Sequence, residues 1–142
     1  METDPTTLLR KASLRVTRPR VAVLNALRAH PHATADSVAA SVREELGSVS
    51  TQAVYDVLKA LTAAHLVRRI ETAGPAIFEP ASNRDHHHAI CRGCGAIQDV
   101  ECARPTQCAS PATPVDGFMI ETADVTYWGT CPGCSTAPST PR

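Results

Sequence analysis

Four cysteines fall in two pairs whose spacing is typical of a structural zinc site. The pairs are Cys91-Arg-Gly-Cys94 and Cys131-Pro-Gly-Cys134, with 36 residues between them. A C-x-x-C spacing lets two thiolates bind one tetrahedral ion, at about 2.3 Å for zinc. Because two such pairs supply four thiolates and leave no open coordination position, the sequence predicts a closed structural zinc site rather than a catalytic one.

Three consecutive histidines precede the first cysteine pair and predict a second metal site of different chemistry. Side chains alternate faces along a strand, so His86 and His88 face one way while His87 and Cys91 face the other. Asp99 lies on the strand that leaves the cysteine turn. A site of imidazole and carboxylate ligands without sulfur suits Fe(II), Mn(II), Zn(II) or Ni(II).

Glu79 and His32 are weaker candidates for this second site when judged by spacing alone. Glu79 ends a predicted hairpin, and His32 lies in the break before a predicted helix. A lone histidine in such a break is more often a surface residue than a ligand. The remaining cysteines, Cys102 and Cys108, are expected to be free thiols, although a reversible disulfide between them stays open.

Charge is distributed unevenly along the 142 residues, which could form one ordinary domain or two small ones. Residues 1–70 carry ten basic and six acidic side chains, a net +4, and residues 71–142 carry four basic and eight acidic ones, a net −4. A basic first half suggests an anionic partner such as DNA. Uneven surface charge without a function is the alternative.

The compartment is predicted to be cytoplasmic. Met1-Glu-Thr-Asp-Pro5 is polar and does not resemble a secretory signal, and no apolar stretch reaches the roughly 18 residues of a membrane helix. In a reducing compartment, paired C-x-x-C motifs bind metal more often than they form disulfides.

The elements that position these residues begin with helices in the first half. A short helix is predicted over Thr6–Lys11, and Thr17, Thr34 and Ser50 are candidate N-caps of three further helices with apolar residues at helical spacing. Gly47 ends the second of these three.

Strands follow, which predicts an α+β fold with an N-terminal winged helix-turn-helix. Leu66–Ile70 and Ala76–Phe78 are predicted to form a hairpin around Ala73-Gly-Pro75, and the third main helix would lie in the major groove of DNA. A plain helical core would produce the same apolar stripes, so element order alone does not decide between the two.

The second half is predicted to be a small α/β dimerisation domain that contains the four-cysteine zinc site. Short strands are expected at His86–Cys91 and Ala96–Val100, and one or two more within Phe118–Trp128, with a Pro-rich loop over 101–117. The predicted division is 1–79 for the DNA-binding domain, 80–85 for a hinge, 86–134 for the dimerisation domain and 135–142 for a flexible tail.

Several motifs together resemble the ferric uptake regulator family. They are Arg15-Val-Thr-Arg-Pro-Arg20, His32-Ala-Thr-Ala-Asp36, Ser50-x-x-x-Val-Tyr55, and His86-His-His-x-x-Cys91-x-x-Cys94-Gly95 with the second cysteine pair. The resemblance covers Leu14 to Cys134, and is greatest to the actinobacterial branch beside catalase-peroxidase genes. It implies homodimeric, metal-activated repressors of AT-rich palindromic operators.

The resemblance also implies roles for individual residues. The structural zinc ligands would be Cys91, Cys94, Cys131 and Cys134. The ligands of a regulatory Fe(II) or Mn(II) would be His32, Glu79, His86, His88 and Asp99, and peroxide would oxidise His32 and His86. The candidate DNA contacts are Arg15, Arg18, Arg20, Ser50, Thr51, Gln52 and Tyr55.

Some positions depart from the family pattern. The residue after Tyr55 is usually basic in the family, and Asp56 stands there in this chain, where phosphate would repel it. The Pro-rich loop replaces the helix that usually joins the dimerisation strands. No histidine occurs in Val125–Gly129, so a third metal site found in some members is predicted to lack a ligand.

The alternatives within the family are repressors that sense the level of iron, zinc or nickel without peroxide chemistry. Outside it, a zinc-ribbon adaptor that binds only protein would not need the basic first half. A zinc hydrolase would need an open coordination position and a general base. A thiol oxidoreductase would need a helix that lowers a thiol pKa after Cys131-Pro-Gly-Cys134. The sequence therefore predicts a regulator and not an enzyme.

Overall fold

The chain folds into two compact units, Met1–Ala81 and Ser82–Arg142. The structure, a computed structural model, describes residues 3–81, 86–102, 115–120 and 123–135. Residues outside the described ones include 82–85 of the predicted hinge (80–85), most of the predicted loop over 101–117 and nearly all of the predicted tail.

The first unit begins with four helices, α1 (Pro5–Lys11), α2 (Arg18–Ala29), α3 (Ala35–Leu46) and α4 (Thr51–Ala63). Thr17, Thr34 and Ser50 are the N-caps of α2, α3 and α4, as predicted, and each side-chain oxygen accepts from the backbone N–H three residues later. Gly47 follows α3 with φ of 83°, a conformation that glycine adopts without steric cost. These local signals set where the helices begin and end.

Apolar residues at helical spacing form the core of this unit. Their side chains are almost completely buried; they include Leu24, Leu27, Val38, Val42, Val54, Leu58 and Leu61. Each fully buried Leu or Val contributes about 1.5–3 kcal/mol relative to an exposed one. This burial holds α2, α3 and α4 together, and Leu9 ties α1 to the same core.

A three-stranded antiparallel sheet completes the first unit. Its strands are β1 (Ala33–Thr34), β2 (Val67–Ile70) and β3 (Ile77–Pro80), in the order β1-β3-β2. The predicted two-stranded hairpin therefore has a third strand, because Ala33 and Thr34 pair with Phe78 and Ile77. Two residues are too few to show the alternation that marks a strand in sequence. Helices followed by this sheet form the predicted winged helix-turn-helix.

The second unit contains a three-stranded sheet and one turn of helix. The strands are β4 (His86–Cys91), β5 (Ile97–Glu101) and β6 (Thr126–Gly129), in the order β5-β4-β6, and α5 (Pro132–Ser135) follows. β4 pairs antiparallel with β5 and parallel with β6. The α+β fold class is confirmed.

One strand is present among the described residues of the region Phe118–Trp128, where one or two were predicted. Only Thr126–Gly129 forms a strand among the described residues of that region, where it pairs with β4, and Phe118–Ile120 is irregular. Alternating residues become a strand only where a neighbouring strand accepts their backbone hydrogen bonds. In the part of the chain that the structure describes, no helix has both the length and the apolar character needed to cross a bilayer.

Candidate metal centres and DNA-binding surface

The two cysteine pairs meet at one end of the second sheet. Cys91 is the last residue of β4, and its register partner on β6 is Gly129, which places Cys131 beside it. The four Sγ atoms of Cys91, Cys94, Cys131 and Cys134 all lie within 4.8 Å of one another. Four sulfurs at these distances fit a tetrahedral zinc ion.

Hydrogen bonds prepare part of this cluster to bind a cation. The backbone N–H of Cys131 donates to Cys91 Sγ at 3.3 Å, and mainly because of this bond the pKa of Cys91 falls to about 6. Side-chain hydrogen bonds to Cys131, then Cys91 and Cys94, raise the pKa of Cys134 to about 12. A thiol surrounded by other sulfurs keeps its proton until a metal replaces it, so zinc binding here releases protons.

Gly93 is a site residue that was not predicted from the sequence. A Cβ atom added at Gly93 would lie 3.1 Å from Cys134 Sγ, closer than ordinary contact, whereas one added at Gly133 would lie 3.9 Å from Cys131 Sγ. The absence of a side chain at Gly93 therefore lets the second cysteine pair approach the first. The glycine between the two cysteines of Cys91-Arg-Gly-Cys94 was the sequence feature that could have indicated this close approach.

The first unit brings together two of the predicted regulatory ligands, His32 and Glu79. His32 directly precedes β1, and because Ala33 pairs with Phe78, His32 lies next to Glu79 on β3. His32 Nε2 is 3.0 Å from Glu79 Oε2, and the Glu79 side chain is only 4% exposed. His32 has a φ of 65°, which is unusual for a residue other than glycine and is held by the surrounding structure.

The second unit brings together the other three predicted ligands. His88 on β4 and Asp99 on β5 are register partners, and Asp99 Oδ1 lies 3.5 Å from His88 Nε2 and 3.8 Å from His86 Nε2. The rings of His86 and His88 lie 4.9 Å apart, while the His87 ring lies near Tyr127. The second unit thus contributes two nitrogens and one carboxylate without sulfur, which fits Fe(II) or Mn(II).

The candidate DNA contacts lie just before and at the start of α2, and at the N-cap and in the first two turns of α4. Tyr55 is 44% exposed, and its hydroxyl donates to Asp36 Oδ1 at 3.3 Å. One turn earlier, Gln52 Nε2 donates to Asp56 Oδ1 at 2.9 Å, so Asp56 orients the Gln52 amide.

Other candidate contacts have structural partners of their own. Arg20 Nη1 donates to the Arg15 carbonyl at 2.7 Å, and Ser50 caps α4. The Thr51 hydroxyl accepts from Arg43. Arg18 is the first residue of α2. These bonds fix the segments that carry the exposed side chains.

Of the two remaining cysteines, Cys102 differs from the expectation of a free thiol and agrees with the alternative of a disulfide. Cys102 is disulfide-bonded, and the zinc-site cysteines are free. Cys108 lies outside the described residues. Oxidised Cys102 belongs to neither set of proposed ligands.

A winged helix-turn-helix joined to a unit with a thiolate site and a histidine–carboxylate site defines the class of metal-responsive DNA-binding regulators. The sequence profile of the Ferric uptake regulator family matches residues 11–128, and the chain belongs to this family. It is a metal-responsive transcriptional regulator, not an enzyme, as the sequence predicted.

Two curated relatives are similar to this chain to different degrees. The chain is 53% identical over 128 residues to the transcriptional regulator FurA of Mycobacterium tuberculosis, covering 89% of this chain and 87% of that protein. It is 27% identical over 128 residues to the peroxide operon regulator of Bacillus subtilis, covering 89% and 88%.

A solved structure has the same fold. The ferric uptake regulator of Pseudomonas aeruginosa with manganese is 29% identical and superposes with a TM-score of 0.75, covering 92% of this chain and 99% of that one. That structure contains manganese, and the described residues of this chain include a four-cysteine cluster and histidine and carboxylate side chains that could hold metal ions, in agreement with the predicted zinc and iron or manganese sites. Like its family, the chain is a dimeric DNA-binding protein.

Proposed function

We propose that this protein is a homodimeric repressor whose regulatory iron makes it release DNA when peroxide is present. The observation that supports this most is the pairing of His86 and His88 with Asp99, a ligand set without thiolate. An aspartate rather than a glutamate at position 99 is a feature that resembles the peroxide-responsive branch of the family. The protein would act in the cytoplasm, and its targets would be catalase, oxidative-stress or metal-homeostasis genes.

One regulatory ion would use ligands from both units. The first unit offers His32 and Glu79, and the second offers His86, His88 and Asp99. An ion bound by all five ligands would stabilise the conformation in which these ligands come together. It would raise the population of that conformation because its affinity for that conformation exceeds its affinity for the others. A dimer so fixed would match the half-site spacing of a palindromic, AT-rich operator.

Peroxide would act on the ligands themselves. Fe(II) held by the proposed histidine and carboxylate ligands would supply the redox chemistry, and a histidine ring that gained one oxygen atom from hydrogen peroxide would leave water as the other product. We assign this oxidation to His32 and His86. A ring oxidised in this way is a poorer ligand, so the ion is lost and the operator is released.

The test compares iron and manganese forms of the protein after a peroxide pulse. Peptides that contain His32 or His86 should gain one oxygen in the iron form and remain unchanged in the manganese form, because Mn(II) does not readily reduce peroxide. Mass spectrometry measures the gain, and operator binding is measured on the same samples. Release of DNA from the iron form without oxygen at either peptide would contradict the proposed oxidation.

A sensor of metal level is the second candidate. The same donor set would also hold Mn(II), Zn(II) or Ni(II), and the Pseudomonas aeruginosa regulator was solved with manganese. If peroxide changes neither the peptides nor DNA binding, while added metal still controls DNA binding, this second function is the correct one.

We assign DNA binding to the start of α2 and the exposed face of α4, with Arg15, Arg18, Arg20, Ser50, Thr51, Gln52 and Tyr55 as the contacts. Arg15→Ala should weaken operator binding and flatten its dependence on salt, since each lost phosphate contact removes about 0.9 from the slope of log affinity against log salt. Fluorescence anisotropy at several salt concentrations measures both. Arg10→Ala on α1 removes the same charge elsewhere and is the control; equal effects of the two variants would contradict a specific role for Arg15.

A further inference from the structure

Arg68 is the third member of a row of side chains across the first sheet. The strand order β1-β3-β2 places His32 at one side of Glu79 and Arg68 at the other. Arg68 and Glu79 are direct register partners, and such cross-strand pairs have side chains on the same face. Arg68 Nη1 lies 3.6 Å from Glu79 Oε1, and His32 Nε2 lies 3.0 Å from Oε2.

The burial of this row makes the ion pair strong. The Glu79 side chain is 4% exposed and that of Arg68 is 24% exposed. A buried carboxylate needs a compensating cation or hydrogen bonds, because the loss of its hydration is otherwise unfavourable. Charges in such a partly dehydrated position interact several times more strongly than charges in bulk water.

We propose that Arg68 is a positioning residue that sets the metal threshold of the regulatory site. It neutralises Glu79 in the metal-free protein, and it opposes a dication that binds the same carboxylate. The guanidinium cannot lose its charge in a protein. A metal ion that binds Glu79 must therefore overcome electrostatic repulsion from Arg68. The inference rests on the proposed role of Glu79 as a ligand of the regulatory ion.

Arg69 provides a matched comparison on the same strand. It lies on the opposite face of β2 and pairs with Glu71 at 2.8 Å, where both side chains are more than half exposed, at 54% and 74%. Exposed pairs of this kind contribute little because solvent screens them. Removing Arg69 changes the net charge as much as removing Arg68 does, but leaves Glu79 paired.

The experiment measures Mn(II) affinity by calorimetry on the full chain, with the structural zinc retained and the regulatory ion removed. Arg68→Met should bind Mn(II) about tenfold more tightly than the wild type, which corresponds to about 1.4 kcal/mol. Arg69→Met should stay within about twofold of the wild type, and Arg68→Lys, which keeps the charge, should also stay near it. In the metal-free state, Arg68→Met should unfold at a lower temperature, and added Mn(II) should reduce that difference.

Three outcomes separate this inference from the proposed function. If Glu79→Gln binds Mn(II) as well as the wild type does, Glu79 is not a ligand and the proposed site is wrong. If Glu79→Gln loses binding while Arg68→Met binds no more tightly than Arg69→Met, the site stands and the role of Arg68 is wrong. If Arg68→Met does not fold, Arg68→Gln, which removes the charge but keeps a polar side chain, decides by the same comparison.

Discussion

Cys91→Ser should remove the structural zinc and unfold the second unit. The second unit buries few apolar side chains among its described residues, Ile90 and Cys91 being the ones almost fully covered, so the metal must supply much of its stability. Structural zinc sites contribute apparent binding free energies of about 10–16 kcal/mol, and this binding energy is also folding energy. Metal analysis after dialysis against a chelator and sedimentation analysis of the dimer measure the effect.

Loss of this unit should also abolish dimerisation and metal-dependent DNA binding, while the helical core of the first unit stays folded. Retained helical circular dichroism together with lost zinc is the expected combination. A Cys91→Ser protein that keeps stoichiometric, tightly bound zinc and remains dimeric would contradict the four-cysteine assignment.

A milder pair of variants tests the geometry of the same cluster. Gly93→Ala should weaken zinc binding, because the added methyl group would lie 3.1 Å from Cys134 Sγ. Gly133→Ala is the control, since its methyl group would lie at an ordinary 3.9 Å from Cys131 Sγ. Equal zinc retention in both variants would show that the cluster adjusts freely and that Gly93 has no special role.

Features determined by neighbouring residues were predictable from the sequence. Thr17, Thr34 and Ser50 cap helices through their own side chains, and the cysteine pairs have ligand spacing within four residues. Successive side chains of β4 point to opposite faces of the sheet, which places His88 beside His86 and His87 near Tyr127. Each of these signals is contained in a few consecutive residues.

Features that depend on the pairing of distant strands were not predictable from the same signals. The two-residue strand β1 has no pattern of its own, and it exists because β3 accepts its hydrogen bonds. Arg68 and Glu79 are eleven positions apart, and only the register of β2 against β3 makes them partners. His32 was a weak candidate by spacing because its partner Glu79 becomes adjacent only through that sheet.

His32→Ala should remove most of the affinity for the regulatory ion, and with it metal-dependent DNA binding. Even the loss of a residue that merely orients a metal ligand costs about 10–100-fold in affinity, so the loss of a ligand should cost at least as much. In the structure, His32 Nε2 already lies 3.0 Å from the carboxylate that would share the ion. Titration with Mn(II), read by calorimetry and by operator binding, measures both consequences.

Backbone strain must be separated from ligand loss in this test. His32 has a φ of 65°, where alanine is strained and glycine is not. His32→Gly therefore removes the imidazole without strain, and it should lose metal affinity as fully as His32→Ala does. His30, two residues earlier at the C-cap of α2, is exposed, so His30→Ala should bind Mn(II) like the wild type. If His32→Gly keeps wild-type affinity, the imidazole is not a ligand and the proposed ion is held by other groups.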